Sequence, residues 1–291
     1  MDYFGPVSRL CGVFLVTGSN SSVALRDDLV LGRRELTSRF RASPPRTLSA
    51  GELLAPAASS SNVIYHLVEG WACRFREFSA GRQAIVDIYL PGDVIGLDAV
   101  LRTRPLEEVM TLSSIAIEAI DTEDTLIDLM TCHHMALYIA WLLGQRQRRA
   151  DRLLAAISSL DARGRVATMV LDFHRRLSRQ RLITGSTYNL PLTQIQIGAY
   201  LGLTVAHVNR VLRSLRDEEI VNLEKHCVTI LDLERLTRLA QSGPIVRSTA
   251  DLDQRLVNEP ISRNAQPTRR SVSSGQPVLQ RATVGILGAL P

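Results

Sequence analysis

A chain of 291 residues with a net charge of +5 has room for one large or two modest cores and leans towards an anionic partner such as nucleic acid. Its four cysteines, Cys11, Cys73, Cys132 and Cys227, are far apart, which excludes a C-x-x-C redox pair, zinc-finger spacing and a disulfide-dense scaffold. The longest apolar run near the start, Cys11 to Val16, is too short for a membrane span or a signal-peptide core, so a cytoplasmic protein without a membrane partner is expected.

Residues 1–46 carry "SNSS" and "RASPPR" and no steady periodicity, and read as a partly ordered, flexible extension. From Thr47 to about residue 122 the text changes to short alternating stretches such as "NVIYHLVEG" and "RQAIVDIYLPGD". Trp71, Cys73 and Phe75 alternate with Ala72, Arg74 and Arg76, the period of a half-buried strand. Gly70, Gly81 and Gly92 fall where hairpins must reverse, and Pro91-Gly92-Asp93 combines a fixed φ with a permissive residue. Strands at this spacing predict an antiparallel β-roll of jelly-roll type, in an α+β chain.

After Asp121 the period becomes helical, predicting one long helix over 123–160. Cys132, Ala136, Ile139, Leu143, Arg146, Ala150, Leu153, Ile157 and Leu160 follow steps of four and three. Such a heptad seam suits pairing with a second copy, and its core would be Ile139, Leu143, Ala150, Leu153 and Ile157. Cys132-His133-His134 offers metal-ligand chemistry, but neighbouring residues of a helix interior point to different sides, so no metal site is expected.

Residues 161–242 read as a second domain. A helix over Ala162 to Leu177 turns Val166, Met169, Val170 and Phe173 inward, and a loop with Gly185 and Pro191 follows. In "TQIQIGAYLGLTVAHVNRVLRSL", Thr193 caps a first helix, Gly198 leaves room for a crossing helix, Gly202 permits the turn, and Thr204 caps a second helix. Val208, Val211, Leu212 and Leu215 make the inner face of that second helix, leaving Ala206, His207, Asn209, Arg210 and Arg213 outside. This is a helix-turn-helix. "IVNLEKHCVTI" after it reads as a β-hairpin across a three-residue turn, making the motif winged, and "LDLERLTRLA" closes the domain as a helix. From residue 243 to 291 the Ser, Pro, Gln and Arg content reads as a flexible tail.

A second helix of this kind fits the DNA major groove. Arg210 can bond guanine O6 and N7, Asn209 can pair with adenine, and His207 can reach a base or a phosphate. Thr193, Thr204, Arg213 and Lys225 suit phosphates, which position without specifying. The plainer reading of Arg210 and Arg213 is a solvated helix face, paired with Asp217.

These features together resemble the Crp/Fnr family of bacterial transcription regulators, over about Thr47 to Gln241. "LPGDVIG", the long helix, "LDARGRVATMVLDF" and the helix-turn-helix carry the resemblance. The likeness implies a cyclic-nucleotide-binding-like roll, a dimerising helix and a winged helix-turn-helix that, as a homodimer, binds near-palindromic double-stranded DNA. It also implies RNA polymerase as a partner and no enzymatic activity.

The departures concern the effector. Where cAMP-binding members hold ribose with a Glu, this chain has Leu97; where they hold phosphate with an Arg-Ser pair, it has Pro105, Leu106, Glu107 and Glu108, with Arg104 the nearest cation. Two carboxylates there repel a cyclic phosphate. The Thr-Ser pair that meets adenine maps onto Ala150 and Asp151. Cys11 is alone, too few ligands for an iron–sulfur cluster. On the recognition helix Ala206 takes the place of a common Glu. No cofactor is therefore expected and the effector stays open. The alternatives are a cyclic-nucleotide-responsive regulator with an unusual pocket, or a cupin-like metalloenzyme, for which the roll offers only His66.

Overall fold

The computed structural model describes residues 20–55, 63–100 and 107–240; the tail expected from residue 243 and the first nineteen residues lie outside this set. Inside the stretch that reads as an irregular extension stands a helix, α1 (Asn20–Arg41). Leu29, Val30, Leu36 and Phe40 are its buried apolar side chains among the described ones, about one per turn. The charged text between them, "GRRE" and the like, hides that period.

Eight strands follow: β1 (Arg46–Leu48), β2 (Leu53–Ala55), β3 (Val63–Glu69), β4 (Ala72–Phe78), β5 (Arg82–Tyr89), β6 (Val94–Ile95), β7 (Glu108–Thr111) and β8 (Ile115–Asp121), with a single helical turn, α2 (Leu97–Val100), after β6. They form two antiparallel four-stranded sheets in the orders β1-β8-β3-β6 and β2-β7-β4-β5. Tyr65, Leu67, Tyr89, Ile95, Val109, Ile115 and Ile117 fill the space between them. The Pro-Gly-Asp turn has Gly92 at φ +89°, and the Asp93 carboxylate accepts from the Leu90 N–H at 2.9 Å.

The long helix is two helices. α3 (Thr122–Thr131) ends at Cys132, whose backbone is extended at φ −119°, and α4 (His133–Ser159) leaves at 117° to it. No single helix among the described residues is long and apolar enough to cross a membrane. The expected seam residues do not all face outward. Ile139 is buried in a core with Leu36 and Phe40 of α1, Ile64 and Leu97, and Leu143 packs at its edge. Arg146 reaches Asp98 at 3.0 Å, and Leu153 packs on the second domain. Turning by one residue at every second step leaves an outer stripe of Ala136, Ala140, Leu143, Gln147, Ala150, Leu154 and Ile157, in which Leu154 is 67% exposed. Arg146 no longer interrupts it.

The second domain comprises α5 (Ala162–Arg179), β9 (Thr187–Asn189), α6 (Gln194–Leu201), α7 (Val205–Asp217), β10 (Val221–Glu224), β11 (Cys227–Ile230) and α8 (Leu233–Leu239). The strands form a sheet in the order β10-β11-β9; β9 lies where the sequence suggests only a loop. One continuous apolar core joins Trp71, Cys73 and Phe75 of the roll to Val170 and Phe173 of α5, Leu201 of α6 and Leu215 of α7. Trp71 and Phe173 meet edge to face at 5.2 Å. The alternation in β4 therefore has cover on both sides: the second domain on Trp71, Cys73 and Phe75, the roll interior on Ala72.

Candidate nucleic-acid interface

The helix pair is built from its caps inward. Thr193 and Gln196 form a reciprocal capping box: the Gln196 N–H donates to Thr193 Oγ1 at 3.2 Å, and the Thr193 N–H donates to Gln196 Oε1 at 2.8 Å. α6 stops at Gly202, in the left-handed region at φ +66°. A Cβ on Gly198 would lie 2.5 Å from the Leu203 carbonyl oxygen, so only glycine lets the chain fold back that closely. Thr204 then opens α7 by accepting from the His207 N–H at 3.3 Å.

Val208, Val211 and Leu215 of α7 are buried, and Leu212 is half-buried against the same core. Ala206, His207, Asn209, Arg210 and Arg213 are exposed. Asn209, Arg210 and Arg213 make no side-chain hydrogen bond or ion pair with another described residue. Asp217, the possible partner of the arginine face, lies 3.6 Å from Arg216 instead. His207 Nδ1 is 3.1 Å from Thr204 Oγ1, so one ring nitrogen belongs to the cap and only the other faces outward. Both capping hydroxyls are engaged within the chain; what these helix starts keep for a phosphate is first-turn backbone N–H.

The wing joins Glu224 directly opposite Cys227, so its turn has two residues where the sequence suggests three. Lys225 and His226 sit at φ +48° and +64°, the conformation of a tight hairpin turn, here without the glycine or asparagine that would have announced it. Lys225 is exposed at the tip. Thr193, Gln196, Lys225 and His226 also line a cavity of about 600 Å³ that is completed by Gly51, Met110 and Thr111 of the roll. Behind α7, Glu218 collects Arg163 at 2.8 Å, the Ser214 hydroxyl at 2.9 Å and Arg235 at 3.4 Å. The Arg163 and Ser214 hydrogen bonds hold its carboxyl below the usual range.

Ion pairs link the roll to α4: Arg146 and Arg149 meet Asp87 at 3.6 and 3.8 Å. Leu97, at the position where the family's ribose contact is expected, is buried against Ile64 and Phe40. Glu107 is held by Arg76 at 2.6 Å and Arg74 at 3.8 Å, and Asp98 by Arg146. Ala150 and Asp151 are exposed, the latter bonded to Gln147 at 2.8 Å. Arg104, Pro105 and Leu106 lie outside the described residues. His66 pairs with Glu118 at 3.0 Å and stacks near Phe40, so the one histidine of the cupin alternative is already engaged.

The expectation that His133 and His134 diverge is overturned. Both stand at the very start of α4, after the Cys132 break, and their ring centroids are 3.7 Å apart. The Cys132 thiol bonds Glu35 of α1 at 2.6 Å; burial and that carboxylate raise its pKa.

Residues 164–239 match the Crp-like helix-turn-helix domain. Beyond this domain the chain is similar to bacterial Crp/Fnr-type regulators over about two thirds of its length. Among curated Crp/Fnr relatives, the anaerobic regulatory protein of Haemophilus influenzae is 25% identical over 196 residues, spanning 67% of this chain and 75% of the relative. The transcriptional activator protein Anr of Pseudomonas protegens is 24% identical over 200 residues, spanning 67% and 80%. The structure of FixK2 from Bradyrhizobium japonicum superimposes with a TM-score of 0.62 at 21% identity, over 69% of this chain and 99% of that one. The shared fold is that of Crp/Fnr proteins, and the chain is a DNA-binding transcription regulator.

Proposed function

We propose that this Crp/Fnr-type regulator binds near-palindromic DNA as a homodimer, reading base edges with Asn209 and Arg210 and anchoring phosphates with Arg213, Lys225 and the starts of α6 and α7. The observation that carries this reading is the face of α7: three polar side chains exposed, adjacent and unpartnered among the described residues, on a helix fixed from behind by a buried aliphatic stripe. A desolvated, already paired arginine would have to break its contacts before reaching guanine; Arg210 does not. His207 takes a lesser part, because half of its ring serves the Thr204 cap. RNA polymerase is the further partner we infer, and the cytoplasm the place of action.

The dimer contact in this reading runs along the outer stripe of α4, through Ala136, Ala140, Leu143, Ala150, Leu154 and Ile157. Two recognition helices would then lie about 34 Å apart, one turn of DNA. We further propose that the effector is not cyclic AMP bound as in its known sensors. Leu97 closes the ribose position, and the arginines beside it are neutralised by Glu107 and Asp98.

The test is footprinting of the full-length protein on genomic DNA, with and without cAMP and cGMP, followed by titration of a recovered site. Arg210→Ala should cost about 1–3 kcal/mol on that site and relax one base position in each half. Lys225→Ala should weaken all sequences alike and shallow the salt slope by about one. Equal affinity of Arg210→Ala and wild type, or protection of single unpaired half-sites, would overturn the reading.

A further inference from the structure

Two imidazoles and a carboxylate converge where α1 crosses the start of α4. Asp28 Oδ1 of α1 lies 2.9 Å from His134 Nδ1 and 4.0 Å from His133 Nε2. The three donor atoms lie within 4.8 Å of one another, the only such group of three or more among the described residues. His134 Nδ1 is closed off from solvent and makes no hydrogen bond, although the carboxylate is beside it. The contact is thus one of proximity without hydrogen-bond geometry, and it leaves the buried His134 nitrogen without a partner beside a carboxylate oxygen.

The backbone arrangement explains why these groups meet. A Cβ on Gly32 would lie 2.0 Å from the His134 carbonyl oxygen, so α1 and α4 touch backbone to backbone there. Asp28 stands one turn before Gly32 and reaches the His134 ring; Glu35 stands almost one turn after it and reaches Cys132. Because α4 begins at His133, both histidines escape the divergence that a helix interior would impose on neighbours.

We propose that Asp28, His133 and His134 form a binding site for a borderline divalent transition metal ion of the zinc, cobalt or nickel kind, which fastens α1 to α4. Two nitrogens and one oxygen suit these ions rather than calcium or magnesium, which want oxygen donors. With bonds of about 2.1 Å, donors 2.9 Å apart subtend roughly 90° at the metal, the angle between neighbouring ligands of a six-coordinate ion rather than a tetrahedral one. His133 is 72% exposed, and its Nε2 reaches a neighbouring position by moving inward about 1 Å. The remaining positions would be held by water. The Cys132 sulfur stays outside this set, its thiol donating to Glu35 at 2.6 Å.

The experiment uses untagged full-length protein stripped with chelator, titrated with zinc by calorimetry and with cobalt by visible absorption. One saturable site per chain is expected, with cobalt bands of nitrogen–oxygen coordination. Asp28→Asn, His134→Ala and the surface variant His133→Gln should each weaken zinc at least tenfold. Zinc should raise the unfolding midpoint of the wild type and of Cys132→Ser, but not of Asp28→Asn. His133→Gln keeps the test clean if the other two variants unfold, since its side chain is mostly exposed, its ring lying against that of His134. No saturable binding, zinc affinity unchanged in His133→Gln, or a sulfur-to-cobalt band that disappears in Cys132→Ser would each overturn this donor set.

Discussion

Arg176, on the first helix of the DNA-binding domain, grips the Asp93 carboxylate of the roll's Pro-Gly-Asp turn, and the same Nη2 donates to the Ile88 carbonyl at 2.9 Å. The guanidinium also lies 3.5 Å from Asp172 on its own helix. Arg149 of α4 adds a longer contact to Asp93, at 3.9 Å. Roll, long helix and DNA-binding domain thus meet at one carboxylate. Removing one member of a buried ion pair leaves the other uncompensated, so Arg176→Ala should destabilise the protein by about 3–5 kcal/mol in urea unfolding. Asp93→Asn combined with Arg176→Ala should cost less than the two single changes added together. Strict additivity would mean the pair is not coupled.

Acid should act through the same carboxylate. Burial alone would raise the Asp93 pKa, but Arg176, Arg149 and the Leu90 N–H together outweigh it and hold the group below its ordinary 3.8. A depressed folded pKa means the stabilisation is present in full above the unfolded value and is lost as pH falls below it. The stability gap between wild type and Asp93→Asn should therefore be wide at pH 7 and narrow steadily from about pH 5 down to pH 3. Asp87 should behave oppositely. Burial raises its pKa despite Arg149 and Arg176, so its charge is a cost at neutral pH, and the advantage of wild type over Asp87→Asn should shrink as pH rises. Denaturant melts of the three proteins across this range check both signs.

Most of the DNA-binding half could be read from residues because its signals are local. The Thr193 and Thr204 caps, the Gly202 turn and the aliphatic inner face of α7 need no distant partner to be recognised. Features fixed by tertiary contacts were hidden. Ile139, Arg146 and Leu153 fit a heptad, yet each is claimed by a neighbour within the chain, which rotates the free face of α4. The same cause hid α1, whose apolar stripe exists only in relation to α4 and the roll. His133 and His134 misled because their geometry depends on where the helix starts, and nothing in "MTCHHMAL" marks the break at Cys132 as extended backbone. The wing turn escaped notice for a chemical reason: Lys225 and His226 are poor advertisements for positive φ.

The thiols should separate cleanly by environment. Cys227 is exposed on the wing, Cys132 is half-buried with its proton shared toward Glu35, and Cys73 is buried with its pKa pushed up to about 12. Because the thiolate is the reactive form, a thiol reagent at pH 8 should, among these three, modify Cys227 first and Cys132 more slowly, reaching Cys73 only on unfolding. Mass spectrometry of digests from a timed reaction gives the order. Glu35→Gln, which removes the carboxylate that raises the Cys132 pKa, should quicken that second step.

The homodimer proposed above depends on the outer face of α4. Leu154 is 67% exposed, and Ala150 and Ile157 lie one helical turn to either side of it. An isolated chain gains little from a leucine in that place, whereas a paired helix would bury it among equivalents from the second copy. Leu154→Asp should therefore leave the monomer's unfolding free energy within about 0.5 kcal/mol of wild type, as expected for a surface change. In sedimentation it should shift the dimer to monomer, because two carboxylates would face each other across an apolar seam. Affinity for a two-half-site DNA should fall with it, while contact with a single half-site stays as before, since α7 is untouched. Ile139→Ala provides the contrast: its side chain is 5% exposed within the chain's own core, so the loss should appear as about 2–5 kcal/mol of stability rather than as dissociation. A variant at Leu154 that remains dimeric, alongside one at Ile139 that separates into folded monomers, would return the seam to the register that sequence periodicity alone suggests.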